Sequence, residues 1–219
     1  MKNKKTVVFD LDDTLYSEID YLKSAYKEIA FNIADDSDVN EVFNNMLDIY
    51  SKGGNVFKDV LEKNKSDLSI TDLLLSYRNH QPKITVAEET LECIKKIHAL
   101  NIPLGLLTDG RSVQQRNKIE ALGLNKWFNE IIVSEEFGSE KPNVDNYLHF
   151  EKTYGDGHYY YIADNVKKDF ISPNKLGWTT ICLMDKGFNI HQQNFDLPLE
   201  YLPKYRIKEL SETLEIINI

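Results

Sequence analysis

Five short apolar runs alternate with stretches of helical spacing, and this alternation restricts the chain to a parallel α/β sheet. The runs are Thr6–Phe9, Pro103–Leu107, Glu130–Val133, Tyr159–Ala163 and Thr179–Leu183. Segments this short and this continuously apolar read as strands buried on both faces. Between them lie Ala87–Leu100, with Leu91, Ile94, Ile97 and Leu100 as its stripe, then Val144–Thr153 and Lys168–Leu176. A further helix runs from Ser112, as its cap, to Leu122, with Gly123 placed to end it. Repeated strand–helix units require right-handed crossovers and helices on both faces, a doubly wound Rossmann-like sheet. The tail from Phe188 to Pro203 reads as loop, before a short strand at Tyr205–Ile207 and a final helix.

One region breaks the alternation. Ser17–Ala34 carries Leu22, Ala25, Tyr26, Ile29 and Ile33 at helical spacing. Asp38 can cap a second helix with Val42, Phe43, Met46, Leu47 and Tyr50 on one face, and Gly53-Gly54 breaks it. Val56–Leu61 begins a third, and Ser69 or Thr71 can cap a fourth that ends near Pro82. No strand-like alternation intervenes. Residues 17–84 are therefore expected to form an inserted α-helical domain, with the catalytic core built from 1–16 and 85–219.

A chain of 219 residues suits such a core with a smaller insertion. Its 42% hydrophobic content argues for a packed globule, and a formal net charge of −9 without a basic run argues against nucleic acid or anionic membranes as partners. The basic start, Lys2–Lys5, precedes an apolar stretch too short for a signal peptide, and no run reaches transmembrane length. A cytoplasmic, soluble protein is expected. Cys93 and Cys182 sit among apolar neighbours with no metal-ligand spacing, so they read as buried small hydrophobes.

The polar residues at the strand ends carry the chemistry. Asp10 and Asp12 follow the first strand, and period-2 geometry points both to one side, next to Thr14. Two like charges so close stay ionised only if a cation or a bound reactant compensates them. Alone, this pair is also compatible with an Asp-rich turn that caps the next helix. Later strands end in Thr108-Asp109-Gly110 and Asp164-Asn165, and a loop delivers Lys141, with Pro142 placed to open the next helix. In open α/β sheets, ligands sit outside these carboxyl ends.

Taken in order, these segments closely resemble the haloacid dehalogenase-like hydrolase superfamily. The resemblance rests on Phe9-Asp10-Leu11-Asp12-Asp13-Thr14-Leu15, Leu107-Thr108-Asp109-Gly110, Lys141-Pro142, and Ala163-Asp164-Asn165 with Asp169. Ala163 stands where the family usually has glycine, and Asp13 replaces another frequent glycine. The segment 17–84 looks like the family's helical cap of the first type. The resemblance implies that Asp10 is the nucleophile that forms an aspartyl-phosphate, and Asp12 the acid and base. It implies that Thr108 and the amides of Asp109 and Gly110 hold the phosphoryl oxygens, with Lys141 neutralising charge. Mg²⁺ would be held by Asp10, Asp164 and the main-chain carbonyl of Asp12, supported by Asp169.

Asp12 also separates chemistries, because the true dehalogenases of the superfamily lack this second Asp. The expected activity is Mg²⁺-dependent hydrolysis of a small phosphorylated metabolite. The alternatives are a sugar phosphomutase of the same fold and a non-catalytic phosphate-binding or regulatory protein. Substrate and oligomeric state are not readable. Arg111 is open between substrate contact and a solvated first-turn residue, whereas Lys52, Asn55, Arg78 and His80 read as surface. His98, His149, His158 and His191 show no metal or triad spacing, and Tyr159–Tyr161 reads as buried strand. No phosphate-loop or dinucleotide glycine fingerprint is present.

Overall fold

The computed structural model describes residues 4–34 and 38–219, so Lys2 of the basic start and the first three residues of the expected core lie outside the described residues. Among the described residues, six strands form one parallel sheet: β1 (Lys5–Phe9), β2 (Leu104–Thr108), β3 (Glu130–Val133), β4 (His158–Ala163), β5 (Thr179–Leu183) and β6 (Tyr205–Ile207). Their spatial order is β3-β2-β1-β4-β5-β6. The chain runs outward from β1 to β3, then returns to β4 on the other side of β1. This reversal opens a crevice beyond the ends of β1 and β4.

Helices cover both faces. Between β1 and β2 come α1 (Glu18–Ile33), α2 (Val39–Ser51), α3 (Val56–Asn64), α4 (Ile70–Asn79) and α5 (Glu88–Ala99). Then follow α6 (Ser112–Ala121), α7 (Ser134–Phe137), α8 (Asp145–Tyr154), α9 (Ile171–Lys175) and the terminal α10 (Thr213–Ile216). Alternate strand residues feed separate apolar clusters: Val7 and Phe9 pack on one face, and Val8 on the other. Each fully buried Val, Leu or Phe contributes about 2 kcal/mol of transfer free energy. Cys93 and Cys182 are both buried, and Tyr159, Tyr160 and Tyr161 lie inside. Among the described residues, no helix is long and apolar enough to cross a membrane.

Helices α1–α4 have an apolar cluster of their own, built from Tyr26 and Ile29 of α1, Met46 of α2, Val60 of α3 and Leu73 of α4. Their starts are capped as the sequence suggests: Asp38 accepts from the Asn40 amide at 2.9 Å, and Ser69 forms a reciprocal box with Asp72. His80 departs from its expected surface position. It is 5% exposed, because the gap between α1 and the end of α4 satisfies both ring nitrogens, with Ser24 Oγ and Glu28 Oε2 each at 2.7 Å. Asn117 of α6 donates to the Asn79 and His80 carbonyls, both at 3.1 Å.

Three expected helix starts move. Ser112 does not cap α6 but begins it, because the Glu135 carboxylate of α7 accepts from the Ser112 amide at 2.7 Å. Pro142 lies before α8, whose first residue is Asp145, because Asn143 accepts from the Asp145 amide at 2.9 Å. Helix α9 starts at Ile171 and not at Lys168. Pro173 explains this, since its ring excludes a helical turn reaching back to residue 169 and is tolerated only in a first turn.

Candidate active site

The first strand ends at Phe9, and the Asp10 amide extends the ladder once more by donating to the Ile162 carbonyl at 2.9 Å. Asp10 and Asp164 thus leave adjacent strands side by side at the crevice. Lys141 enters from the loop after α7, with Nζ at 2.8 Å from Asp10 Oδ1 and 2.8 Å from Asp169 Oδ1. Asp109 fixes that loop: it accepts from the Lys141 amide at 3.0 Å and from Lys168 Nζ at 2.8 Å. Asp169 is fully buried, and its second oxygen accepts from the Asn165 amide at 2.9 Å.

Burial and crowding set the charge states. Burial, offset in part by Lys141, pushes the Asp10 carboxyl up to about 7. Asp164 is pushed further, to about 9, by burial and by the neighbouring Asp169 and Asp10. Burial opposes the charge on Lys141, but Asp10, Asp169 and Asp109 outweigh it and hold the ammonium well above its ordinary range. Asp10, Asp164 and Asp169 each place one carboxylate oxygen within 4.8 Å of the others. Such a set of hard, crowded oxygens fits Mg²⁺. Asp169 is already engaged by Lys141 and Asn165, which leaves Asp10 and Asp164 as the freer ligands. Asn189 Nδ2 donates to Asp164 Oδ2 at 2.9 Å, and Gln193 Nε2 to the Asp164 carbonyl at 2.9 Å.

Asp12 belongs to a second cluster. Its Oδ1 accepts from Lys118 Nζ at 2.7 Å and from the Tyr16 hydroxyl, and its Oδ2 accepts from Gln115 Nε2 at 2.8 Å. Burial alone would raise its carboxyl, but Lys118, Tyr16 and Gln115 together hold it below the usual range. The Lys118 side chain is 1% exposed, lies 3.6 Å from Glu18 Oε1, and stands over the Tyr21 ring. Gln115 Nε2 also reaches Thr108 Oγ1. Asp13 adopts the left-handed region, at φ 52°, and accepts from the Glu18 and Ile190 amides, both at 2.8 Å.

A cavity of about 100 Å³ lies among these groups, lined by Asp10, Asp12, Asp13, Glu18, Thr108, Asp109, Lys141, Asp164, Asn165, Lys168 and His191. Six of the expected site residues meet there: Asp10, Asp12, Thr108, Asp109, Lys141 and Asp164. Asp169 stands behind Lys141. Gly110 does not line the cavity, and its amide, expected to face a phosphoryl oxygen, donates to Ser134 Oγ at 2.9 Å instead. Arg111 is exposed and paired with Glu135 at 3.3 Å, away from the cavity. The larger cavity of about 660 Å³, against α1, shares no residue with the acidic site.

Lys118, Gln115, Tyr16, Lys168, Asn189, Gln193 and His191 are the site residues that pattern reading misses. The only signal for two of them is the three-residue spacing of Gln115 and Lys118, which puts both on one helical face.

Comparison with known proteins agrees with this geometry. A family model described as haloacid dehalogenase-like hydrolase matches residues 7–183. A protein of Methanocaldococcus jannaschii named glyceraldehyde 3-phosphate phosphatase is 28% identical, over 98% of this chain and 97% of its own. A protein of the same name from Methanopyrus kandleri is 23% identical over the same shares, 98% and 97%. Among solved structures, YfnB of Bacillus subtilis bound to magnesium superposes over 100% of both chains with a TM-score of 0.71 and 19% identity.

Proposed function

The chain belongs to the haloacid dehalogenase-like hydrolases, and from that premise we propose that it hydrolyses a small phosphomonoester through an aspartyl-phosphate on Asp10. The observation that carries the reading is the buried pair of Asp10 and Lys141 at 2.8 Å, in one cavity with Thr108 and Asp164. A carboxylate nucleophile needs a fixed direction and nearby positive charge to approach an anionic phosphoryl group.

In this reading the Asp10 carboxylate attacks phosphorus, the bond to the ester oxygen breaks, and that oxygen leaves with the Asp12 proton. Water then attacks the phosphorus of the aspartyl-phosphate, gives its proton to Asp12, and releases phosphate and free Asp10. Thr108, the Asp109 amide and Lys141 hold the phosphoryl oxygens, with Lys168 close by. Pairing with Lys118 favours ionised Asp12, the form that the water step uses. A substrate arriving as its monoanion passes its phosphate proton to Asp12, which hands it to the leaving oxygen, since the second phosphate ionisation lies at about 6. Asp10, Asp164 and the Asp12 carbonyl would hold Mg²⁺, with Asp169 behind them; the bound ion offsets charge on the phosphoryl oxygens.

Residues 17–84 act as the cap, and 1–16 with 85–219 as the catalytic core. The position of Glu18, at the start of α1 and in the cavity wall, supports the cap's reach into the site. The small cavity favours short phosphorylated metabolites, and the relatives' name makes glyceraldehyde 3-phosphate the first to try. The test is phosphate release from a panel of phosphorylated metabolites with Mg²⁺, beside the Asp10→Asn variant. Release from short-chain esters, lost in the variant and in EDTA, is expected. Full activity of Asp10→Asn sinks the mechanism.

A further inference from the structure

We propose that Gln115 and Lys118 are positioning residues for Asp12: one face of α6 grips both of its carboxylate oxygens and ties their direction to the Thr108 hydroxyl. This rests on the phosphatase reading above, in which Lys118 serves only the charge of Asp12 and Gln115 has no part.

The grip is complete on both oxygens. Oδ1 receives Lys118 at 2.7 Å together with the Tyr16 hydroxyl, and Oδ2 receives Gln115 at 2.8 Å. A carboxylate held this way has one orientation, where an exposed Asp has several. Gln115 carries two amide hydrogens, and its nitrogen also meets Thr108 Oγ1, so one amide spans the acid/base and a phosphoryl-holding hydroxyl. Their spacing of i and i+3 means that α6 moves both donors as one body.

Stability alone does not account for the arrangement. A fully buried ammonium is expensive to desolvate, and a buried ion pair is often no more stabilising than apolar residues of the same volume. Lys118 is 1% exposed, yet the same helix face could have packed against Tyr21 with a leucine or methionine. Gly110 shows the same accommodation from the other side. A Cβ there would come within 3.2 Å of Gln115 Cγ and Cδ, so glycine leaves Gln115 the room it occupies. The direction of Asp12 matters most in the second half of the reaction, when a water must stand in line with the phosphorus and lose its proton. A departing aryloxide, by contrast, needs no proton donor.

p-Nitrophenyl phosphate separates the two halves. With Mg²⁺, Lys118→Met and Gln115→Met are expected to release a rapid burst approaching one nitrophenolate per active site. Steady turnover then falls about 100-fold for Lys118→Met, in the range of a lost general base. For Gln115→Met, which removes an indirect support and no charge, it falls about tenfold. Acid quenching during turnover should trap the phosphoryl group on Asp10 in both variants. Should Lys118→Met fail to fold, Gln115→Met carries the test by the same burst and trapped phosphate. Wild-type turnover in the folded variants, or a joint loss of burst and steady rate, overturns the assignment. A wild-type chain that hydrolyses no phosphomonoester overturns the phosphatase reading and this role with it; an active wild type with unaffected variants overturns this role alone.

Discussion

Lys141 and Asp10 face each other at 2.8 Å, with side chains only 1% and 7% exposed, and Lys141 stands as close to Asp169. The same ammonium thus fixes the proposed nucleophile, Asp10, and holds the Asp169 carboxylate behind it. Replacing it with methionine keeps the volume and removes the charge. Lys141→Met should lower kcat about 1000-fold, the scale of a lost electrostatic clamp. It should also cost about 3 kcal/mol in urea unfolding without divalent cations, because two buried carboxylates lose their partner. Wild-type kinetics in this variant would show that the pair has no part in the reaction.

Asp10 and Asp164, with carboxyls pushed up to about 7 and about 9 by burial and by the neighbouring Asp169, link stability to pH. The unfolded chain releases these protons near pH 4, whereas the metal-free native state keeps them until about pH 7 to 9. The native state therefore binds more protons across that window, and its stability falls as pH rises through it. Mg²⁺ held by Asp10 and Asp164, as proposed, would take the place of those protons and remove the penalty. Melting temperatures from pH 5 to pH 9 should decline in EDTA, and the gap to the Mg²⁺-loaded protein should widen with pH. A gap independent of pH contradicts the assignment of these carboxyls to the ion.

Gly110 sits at φ +139°, a region that other residues rarely adopt, with Gln115 Cγ only 3.2 Å from where a Cβ would be. Gly110→Ala should destabilise by about 2 kcal/mol through backbone strain. It should also lower kcat by displacing Gln115. Calorimetry and steady-state assays read the two effects separately, and an unchanged melting temperature would refute the strain.

Asn189 holds Asp164 from outside the sheet, at 2.9 Å. Asn189→Ala should weaken Mg²⁺ binding about tenfold by titration calorimetry, the usual scale for a support behind a metal ligand. The circular dichroism spectrum should be unchanged. Equal affinity in the variant would mean that Asp164 needs no orientation from the tail.

Legibility in the sequence follows from how far each interaction reaches along the chain. Strands such as Thr6–Phe9 announce themselves because a two-sided sheet needs continuous apolar runs, and Asp10 and Asp164 are legible because strand ends collect the reactive groups. Lys118 is not legible. It lies in the polar stretch Ser112–Ala121, where no apolar stripe marks an inward face, and only the fold reveals that Asp12 lies beneath it. Asn189 is hidden for a different reason: it reaches Asp164 across 25 residues from a loop that has no periodicity to read. His80 looks like surface because a lone histidine after a polar run gives no hint of Ser24 and Glu28, more than fifty residues earlier.

The chain crosses between the sheet and helices α1–α4 only twice, once after β1 and once before α5. A rigid body joined at two points keeps a single easy degree of freedom, rotation about the line through them. Near the first crossing, Asp13 holds the Glu18 amide, and near the second, Ser24 holds the Lys83 amide at 2.9 Å, so short spans on either side become the pivots. Asn117, bonded from α6 to the Asn79 and His80 carbonyls, ties the helical segment to the core beside the second crossing. One helix of the core, α6, thus holds both ends of the inserted segment: Asn117 at the end of α4, and Lys118 at Glu18 and the Tyr21 ring of α1.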